Sequence, residues 1–430
     1  MKKESFFIKG LAGKRKLSGE IVVNGAKNAC LPVMASSLLF EGGISISNVP
    51  KIEDVSRMSE LLENLGAKIN SSENQMNISF SKEISGDLDE EISKRMRASI
   101  FLIGPLLSRV GAVSFPHPGG CVIGERPIDL FLFGFEKMGA SVEEKNGKYF
   151  LKAGRGGLKG AEIFFPFQSV GATETLMMAA VLAKGKTILK NVALEPEVVS
   201  LGKFLSSCGA KIKGLGTTTL EIEGGGLLKS NKREHKIIPD RIEAGCFLIL
   251  GALSATDLLI KNCEPNHLEA LIALLGSSGV NIEIGENWIR VKNDILSKSF
   301  SGFNIKTHEY PGFPTDLQAP ITVFLTQANG SSVVFETLFD SRLNYTADLI
   351  KMGADITLWD AHRAMVKGPT PLKGRELDGP DIRAGLAFVI AAIIGRGNST
   401  INNIYYIDRG YEKIEERLRK IKVNIERVGS

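Results

Sequence analysis

The sequence predicts an α/β fold of two lobes, each an inside-out α/β barrel with helices within and strands outside, built from six repeats of about 70 residues, three per lobe. The first observation behind this is a phrase that returns along the chain: Gly66-Ala67-Lys68-Ile69, Gly139-Ala140-Ser141-Val142, Gly209-Ala210-Lys211-Ile212, Gly279-Val280-Asn281-Ile282 and Gly353-Ala354-Asp355-Ile356, with a worn sixth copy at Lys422-Val423-Asn424-Ile425. Positions 66, 139, 209, 279, 353 and 422 are spaced by 73, 70, 70, 74 and 69 residues. The second is an apolar stretch opening each repeat: Ala29 to Phe40, Ala98 to Leu107, Glu174 to Ala183, Ala244 to Leu253, Leu317 to Thr326 and Ala384 to Ile394. Most of these are apolar all round rather than along one stripe, which marks buried helices.

The remaining elements follow from pattern. Val55 to Leu65 and Glu412 to Ile421 carry apolar residues at helical spacing with charges between them, the signature of half-exposed helices. Short runs such as Ile44-Ser45-Ile46 and Thr219-Leu220-Glu221-Ile222 read as strands. One repeat is therefore strand, buried helix, strand, outer helix and two strands. The chain is expected to cross between lobes near Gly19-Glu20-Ile21 and near His235 to Asp240. That gives a lobe over 21–238, carrying the Cys121 loop, and a second over 1–20 plus 239–430, with the active site expected in the cleft between them.

At 430 residues the chain is too long for one core. Its net charge of +5 comes from basic residues interleaved with acidic ones, which argues against nucleic-acid binding. Five cysteines and five histidines show no metal-ligand spacing, so neither a metal site nor a disulfide framework is expected. The odd, scattered cysteines fit a reducing, cytoplasmic setting. The start Met1-Lys2-Lys3-Glu4-Ser5 leads into too short an apolar patch for a signal peptide. The richest apolar run, Ala384 to Gly395, falls short of the roughly 20 residues that span a bilayer, so no membrane insertion is expected.

Polar residues gather at one place in the repeat, the start of the buried helix: Lys27 and Asn28, Arg97, Ser169 to Thr173, Asp240 and Arg241, Asp316, and Asp381 with Arg383. Helix N-termini carry partial positive charge and unpaired N–H donors, so six of them with Lys27, Arg126, Arg383 and Arg409 suit a highly anionic ligand. Asp240 and Asp381 are expected to be N-caps, each worth about 1 kcal/mol. Asp316 follows Thr315, which could cap in its place and leave the carboxylate for base chemistry. Arg97 and Arg383 also fit helix-end charges or ion pairs between lobes. The stretch Phe115-Pro116-His117-Pro118-Gly119-Gly120-Cys121-Val122-Ile123-Gly124-Glu125-Arg126-Pro127 is too rich in glycine and proline for helix or central strand. Composition leaves two readings of Cys121 open: a thiolate favoured by the nearby Arg126, or a small apolar residue in a compact loop.

With these residues in view, the chain resembles the UDP-N-acetylglucosamine enolpyruvyl transferases nearly end to end. The resemblance rests on Gly25-Ala26-Lys27-Asn28, Met96-Arg97-Ala98-Ser99-Ile100, Pro118-Gly119-Gly120-Cys121, Gly124-Glu125-Arg126-Pro127-Ile128-Asp129, Ser169-Val170-Gly171-Ala172-Thr173, Pro239-Asp240-Arg241-Ile242-Glu243, Phe313-Pro314-Thr315-Asp316 and Ile407-Asp408-Arg409-Gly410-Tyr411-Glu412. It implies the enolpyruvyl transferase fold, no cofactor, and the small-molecule substrates phosphoenolpyruvate and UDP-N-acetylglucosamine. The implied reaction moves the enolpyruvyl group to the sugar 3-hydroxyl and releases phosphate, the first committed step of peptidoglycan biosynthesis. By the same resemblance Cys121 protonates the methylene carbon, Asp316 takes the hydroxyl proton, and Lys27, Arg126, Arg383 and Arg409 hold phosphoenolpyruvate. Asn28, Arg97, Pro127, Ile128, Asp129, Ser169, Val170, Gly171, Asp316 and a residue near Phe335 or Glu336 are implied to bind the nucleotide sugar. The family's loop cysteine is alkylated by the epoxide fosfomycin.

Phe131, Phe167 and Leu194 stand where the family pattern has His, Lys and Arg. The alternatives are the shikimate-pathway enolpyruvyl transferase, which shares the fold but lacks the Pro-Gly-Gly-Cys phrase, and a non-catalytic protein that senses a nucleotide sugar.

Overall fold

The glycine of each recurring phrase ends an outer helix. Gly66, Gly139, Gly209, Gly279 and Gly353 have φ of 103°, 87°, 106°, 101° and 106°, left-handed values that glycine adopts without Cβ strain. They follow the helices Glu53–Asn64, Asp129–Lys137, Pro196–Ser207, Glu269–Ser277 and Thr346–Lys351. In the sixth repeat Lys422 holds the same place at φ 74° after Ile414–Lys420, which is why that copy looks worn without being lost.

The computed structural model describes residues 4–80, 83–119, 127–230, 234–293 and 299–429. These form two units, one of residues 4–24 with 239–429 and one of 25–119 with 127–238. The expected crossing at 20/21 lies inside the strand Leu17–Val22, which pairs in parallel with Ala255–Lys261, so the chain changes unit only after Asn24.

Each unit has three inner helices and three sheets. In the 25–238 unit the inner helices are Lys27–Ser36, Ile103–Val110 (led in by the 3-10 turn Arg97–Leu102) and Val170–Leu182. In the other they are Arg241–Ser254, Gln318–Leu325 (led in by Thr315–Leu317) and Ile382–Ile394. All residues of Arg241–Ser254 are buried, as are all of Ile382–Ile394 except its first, so these helices are core on every side. Close packing demands small residues: a Cβ on Gly104 would lie 2.3 Å from the Thr175 carbonyl oxygen of the next inner helix.

The sheets repeat one plan. A short strand before the inner helix runs parallel to the strand after it, as Glu162–Phe164 does with Lys186–Lys190, Ile305–Lys306 with Gly330–Phe335, and Glu376–Asp378 with Asn398–Asn402. The first and fourth repeats exchange these short strands. Leu17–Val22, before the first inner helix, pairs with the strand after the fourth, and Glu234–Lys236, before the fourth, pairs with Ile44–Ser47 after the first. In the sixth repeat Glu4–Lys9 fills a sheet position between Asn398–Asn402 and Asn424–Gly429.

The residue that follows the strand after the inner helix is also periodic. Asn48, Asn191, Asn262 and Asn403 occupy it with φ of 57°, 58°, 53° and 55°. The first three donate their side-chain amides to the carbonyls of Ile237, Phe165 and Val23, at 2.8, 2.8 and 2.6 Å. Each acceptor is the residue just past the short parallel strand, so the asparagine clips that strand's end to the sheet. Among the described residues no helix is long and apolar enough to cross a membrane.

Candidate functional site

The inner helices differ at their first turns. Ser169, Asp240 and Asp381 cap three of them, the Asp381 oxygen accepting from the N–H groups of Arg383 and Ala384 at 2.7 and 3.1 Å. The other three follow Ala26, Met96 and Pro314, which supply no side-chain cap. Lys27, Arg97 and Asp316 stand at those uncapped starts.

In the 25–238 unit, Lys27 is the first residue of its helix, where the helix dipole disfavours a cation. Asp54 offsets this: its buried carboxylate lies 3.2 Å from the Lys27 Nζ. Asn28 is half-buried beside it. Arg97 donates to the carbonyls of Pro118, at 3.5 Å, and Pro127, at 3.2 Å. Gly119 fits only as glycine, since a Cβ there would lie 1.9 Å from the Lys94 carbonyl oxygen. Pro127 and Asp129 are exposed, whereas Ile128 is 2 % exposed and offers a ligand little beyond its backbone. Ser169 accepts from the N–H of Ala172 at 3.3 Å, and Val170 and Gly171 are half-buried. Phe131 is buried against Gly171, while Phe167 is exposed. Cys121 and Arg126 lie outside the described residues.

Further along the third inner helix, Glu174 is fully buried, and among the described residues neither of its carboxyl oxygens has a hydrogen-bond partner. Burial, then Glu197 and Glu195, pushes its pKa well above the usual carboxylate range. In the unfolded chain a glutamate loses its proton near pH ~4.3. Above that pH the folded protein binds the extra proton, so stability falls as pH rises, by up to about 1.4 kcal/mol per unit, until Glu174 itself ionises. Glu174→Gln removes this dependence. Its melting temperature should pull ahead of the parent's between about pH 5 and pH 8. Parallel melting curves across that range would show that Glu174 does not hold its proton.

In the other unit Asp316 meets one predicted residue, Arg383, and one that was not predicted, Arg342. Its Oδ2 accepts from the Nε and Nη2 of Arg383 at 3.0 and 2.7 Å, and its Oδ1 from Arg342 Nη2 at 3.0 Å. Both guanidiniums are buried, while Asp316 is 26 % exposed. Arg383 also donates to the Tyr411 hydroxyl at 3.0 Å. Burial alone would lower the Arg383 pKa, but Asp316, then Tyr411 and Asp240, hold it well above its ordinary value. Arg409 is 7 % exposed, just past the helical turn Tyr405–Asp408.

One expectation changes here. Thr315 does not cap the helix start: its hydroxyl donates to Glu336 Oε2 at 2.8 Å. Glu336 itself is fully buried, and its Oε1 accepts from the Thr307 hydroxyl at 3.0 Å and the Leu338 N–H at 2.9 Å. Its side chain therefore binds protein, while the half-buried Phe335 stacks under Lys306, whose Nζ is 5.6 Å from the ring centroid. Sequence reasoning missed Arg342, Asp54 and the placement of Tyr411. Arg342 sits off the repeat position that marked Lys27, Arg97 and Arg383, and only its nearness in the fold reveals it.

The family model of EPSP synthase (3-phosphoshikimate 1-carboxyvinyltransferase) matches residues 11–418. The chain is 44% identical over 425 residues to UDP-N-acetylglucosamine 1-carboxyvinyltransferase 1 of Carboxydothermus hydrogenoformans, covering 99% of this chain and 98% of that protein. It is 42% identical over 423 residues to the UDP-N-acetylglucosamine 1-carboxyvinyltransferase of Koribacter versatilis, covering 97% and 96%. Among solved structures, the enolpyruvyl transferase NikO from Streptomyces tendae superposes with a TM-score of 0.87 at 22% identity, covering all of both chains. EPSP synthase from Acinetobacter baumannii superposes with a TM-score of 0.73 at 18% identity, covering 99% of this chain and 100% of that one. At such identities the two structures speak for the fold alone.

Proposed function

The chain belongs to the EPSP synthase family, and from that premise we propose that it is a transferase with UDP-N-acetylglucosamine 1-carboxyvinyltransferase activity. It transfers the enolpyruvyl group of phosphoenolpyruvate to the 3-hydroxyl of UDP-N-acetylglucosamine and releases phosphate, opening peptidoglycan biosynthesis in the cytoplasm. The observation that carries the chemistry is Asp316 held by Arg383 and Arg342 at the start of an inner helix. It sets a carboxylate able to take a hydroxyl proton beside a guanidinium shaped for a carboxylate or phosphate. The relatives' shared name selects the acceptor sugar.

The residues divide the work as follows. Asp316 takes the proton of the sugar hydroxyl as its oxygen bonds to C2 of phosphoenolpyruvate, and Cys121 delivers a proton to the methylene carbon. The resulting tetrahedral intermediate then gives a proton of that carbon back to the Cys121 thiolate as the C2–O bond to phosphate breaks, which restores the double bond and releases phosphate. Lys27, Arg126, Arg383 and Arg409 hold the phosphate and carboxylate and offset the charge that develops. Arg383 has a particular place in this sequence, because the fork that would grip the substrate anion is the one that grips Asp316. An arriving anion competes for it and frees the carboxylate to act as base. Asn28, Arg97, Pro127, Asp129, Ser169, Val170, Gly171 and the backbone of Ile128, with Phe335, bind the nucleotide sugar.

Phosphate release from phosphoenolpyruvate tests the reading, with UDP-N-acetylglucosamine in one reaction and shikimate 3-phosphate in another. Release with the nucleotide sugar alone is expected. Release only with the shikimate compound, the substrate in the matching family model's description, would reassign the protein, and release with neither would leave it a binding protein.

A further inference from the structure

The six repeats provide an internal control for Glu336. It follows the strand Gly330–Phe335, and so stands where four other repeats place Asn48, Asn191, Asn262 and Asn403. Its partner Thr307 follows the short strand Ile305–Lys306, the place of Ile237, Phe165 and Val23 in the three asparagine clips. The fifth repeat keeps the clip but reverses it: the periodic residue accepts and the strand end donates. An asparagine suffices for that job elsewhere. What the carboxylate adds is a second acceptor oxygen, and that oxygen takes the hydroxyl of Thr315, the residue before Asp316.

We propose that Glu336 is a positioning residue for the base Asp316, acting through Thr315; this rests on the function proposed above. Thr315 lies in a first turn with no side-chain cap, preceded by Pro314, so its place is otherwise set by little in its own helix. The Glu336 bond at 2.8 Å fixes the Thr315 side chain from one side. Arg342 Nη2, at 3.4 Å from the Thr315 carbonyl and 3.0 Å from Asp316 Oδ1, fixes the backbone and the carboxylate from the other. Glu336 never touches substrate. It sets the angle at which the Asp316 carboxylate leaves the helix, and displacements of about 1 Å at a reacting group cost orders of magnitude in rate.

The experiment uses the full chain, phosphoenolpyruvate and UDP-N-acetylglucosamine, with kcat and KM measured across pH for Glu336→Gln, Thr315→Val, Thr315→Ser and the Glu336→Gln/Thr315→Val pair. Glu336→Gln and Thr315→Val should each lower kcat by about tenfold or more with little change in the KM for phosphoenolpyruvate. The acid limb of kcat should move in both, and Thr315→Ser, which keeps the hydroxyl, should recover most of the rate. The double variant should be no slower than the slower single one, because both changes cut the same link. The Glu336 carboxylate has two further partners, so if Glu336→Gln fails to fold, Thr315→Val decides alone, since Glu336 is the only partner its hydroxyl has among the described residues. Single variants within about twofold of the parent, or losses that multiply in the double variant, would overturn the brace. Turnover by the parent with unaffected variants rejects the brace alone, whereas a parent that releases no phosphate with the sugar rejects both it and the function on which it rests.

Discussion

Asp316→Ala should lower turnover with UDP-N-acetylglucosamine by at least about 100-fold, the usual contribution of a general acid or base. A role as helix cap would give a different result, a loss of about 1 kcal/mol in stability with the chemistry intact. The structure speaks against the cap, because the oxygens of Asp316 go to Arg342 and Arg383 and the turn Thr315–Leu317 has no side-chain cap. Removing the carboxylate also leaves two buried guanidiniums without their shared partner, and breaking a buried pair costs about 3–5 kcal/mol. Rates are therefore compared per folded molecule, with melting temperatures alongside. Asp316→Asn separates the two effects: the amide keeps one acceptor for a guanidinium but is no base, so its rate should fall nearly as far as that of Asp316→Ala while its stability falls less. A rate for Asp316→Asn within about tenfold of the parent would reduce Asp316 to an ion-pair partner.

What was legible in advance follows the physics of each feature. The repeat was readable because one backbone requirement, a left-handed residue after each outer helix, selects glycine five times in six. The inner helices were readable because burial on every side removes the polar stripe. The exchanged strands were not, since a run such as Leu17–Val22 carries a pattern of burial but no mark of its partner, and a parallel strand can pair with any sheet edge its connections reach. The same limit applied at the site. Asp316 and Arg383 were legible because both occupy the repeat position at an inner helix start, but Arg342 reaches them from outside that position. The Glu336 contacts were not legible, because its partners Thr307 and Thr315 are 29 and 21 residues away in sequence.

Cys121→Ser should nearly abolish turnover, because a serine hydroxyl is a far weaker acid than a thiol and the methylene carbon gains its proton late or not at all. The prediction can be checked by an independent chemical route, because the other four cysteines are silenced by the fold. Cys30, Cys208, Cys246 and Cys263 are all buried. Burial pushes the thiols of Cys30 and Cys246 up to about 12 and that of Cys263 to about 11. Alkylation needs a thiolate that the reagent can reach: Cys30, Cys246 and Cys263 keep their protons near neutral pH, and Cys208 is shielded by burial. Fosfomycin should therefore add a single equivalent to the folded protein, located at Cys121 by peptide mass, and Cys121→Ser should take up none. Turnover should fall in step with labelling. Modification of Cys30 in place of Cys121, or full labelling with turnover retained, would remove the thiol from the reaction, leaving the proton to come from a group that neither the loop phrase nor the repeat position identifies.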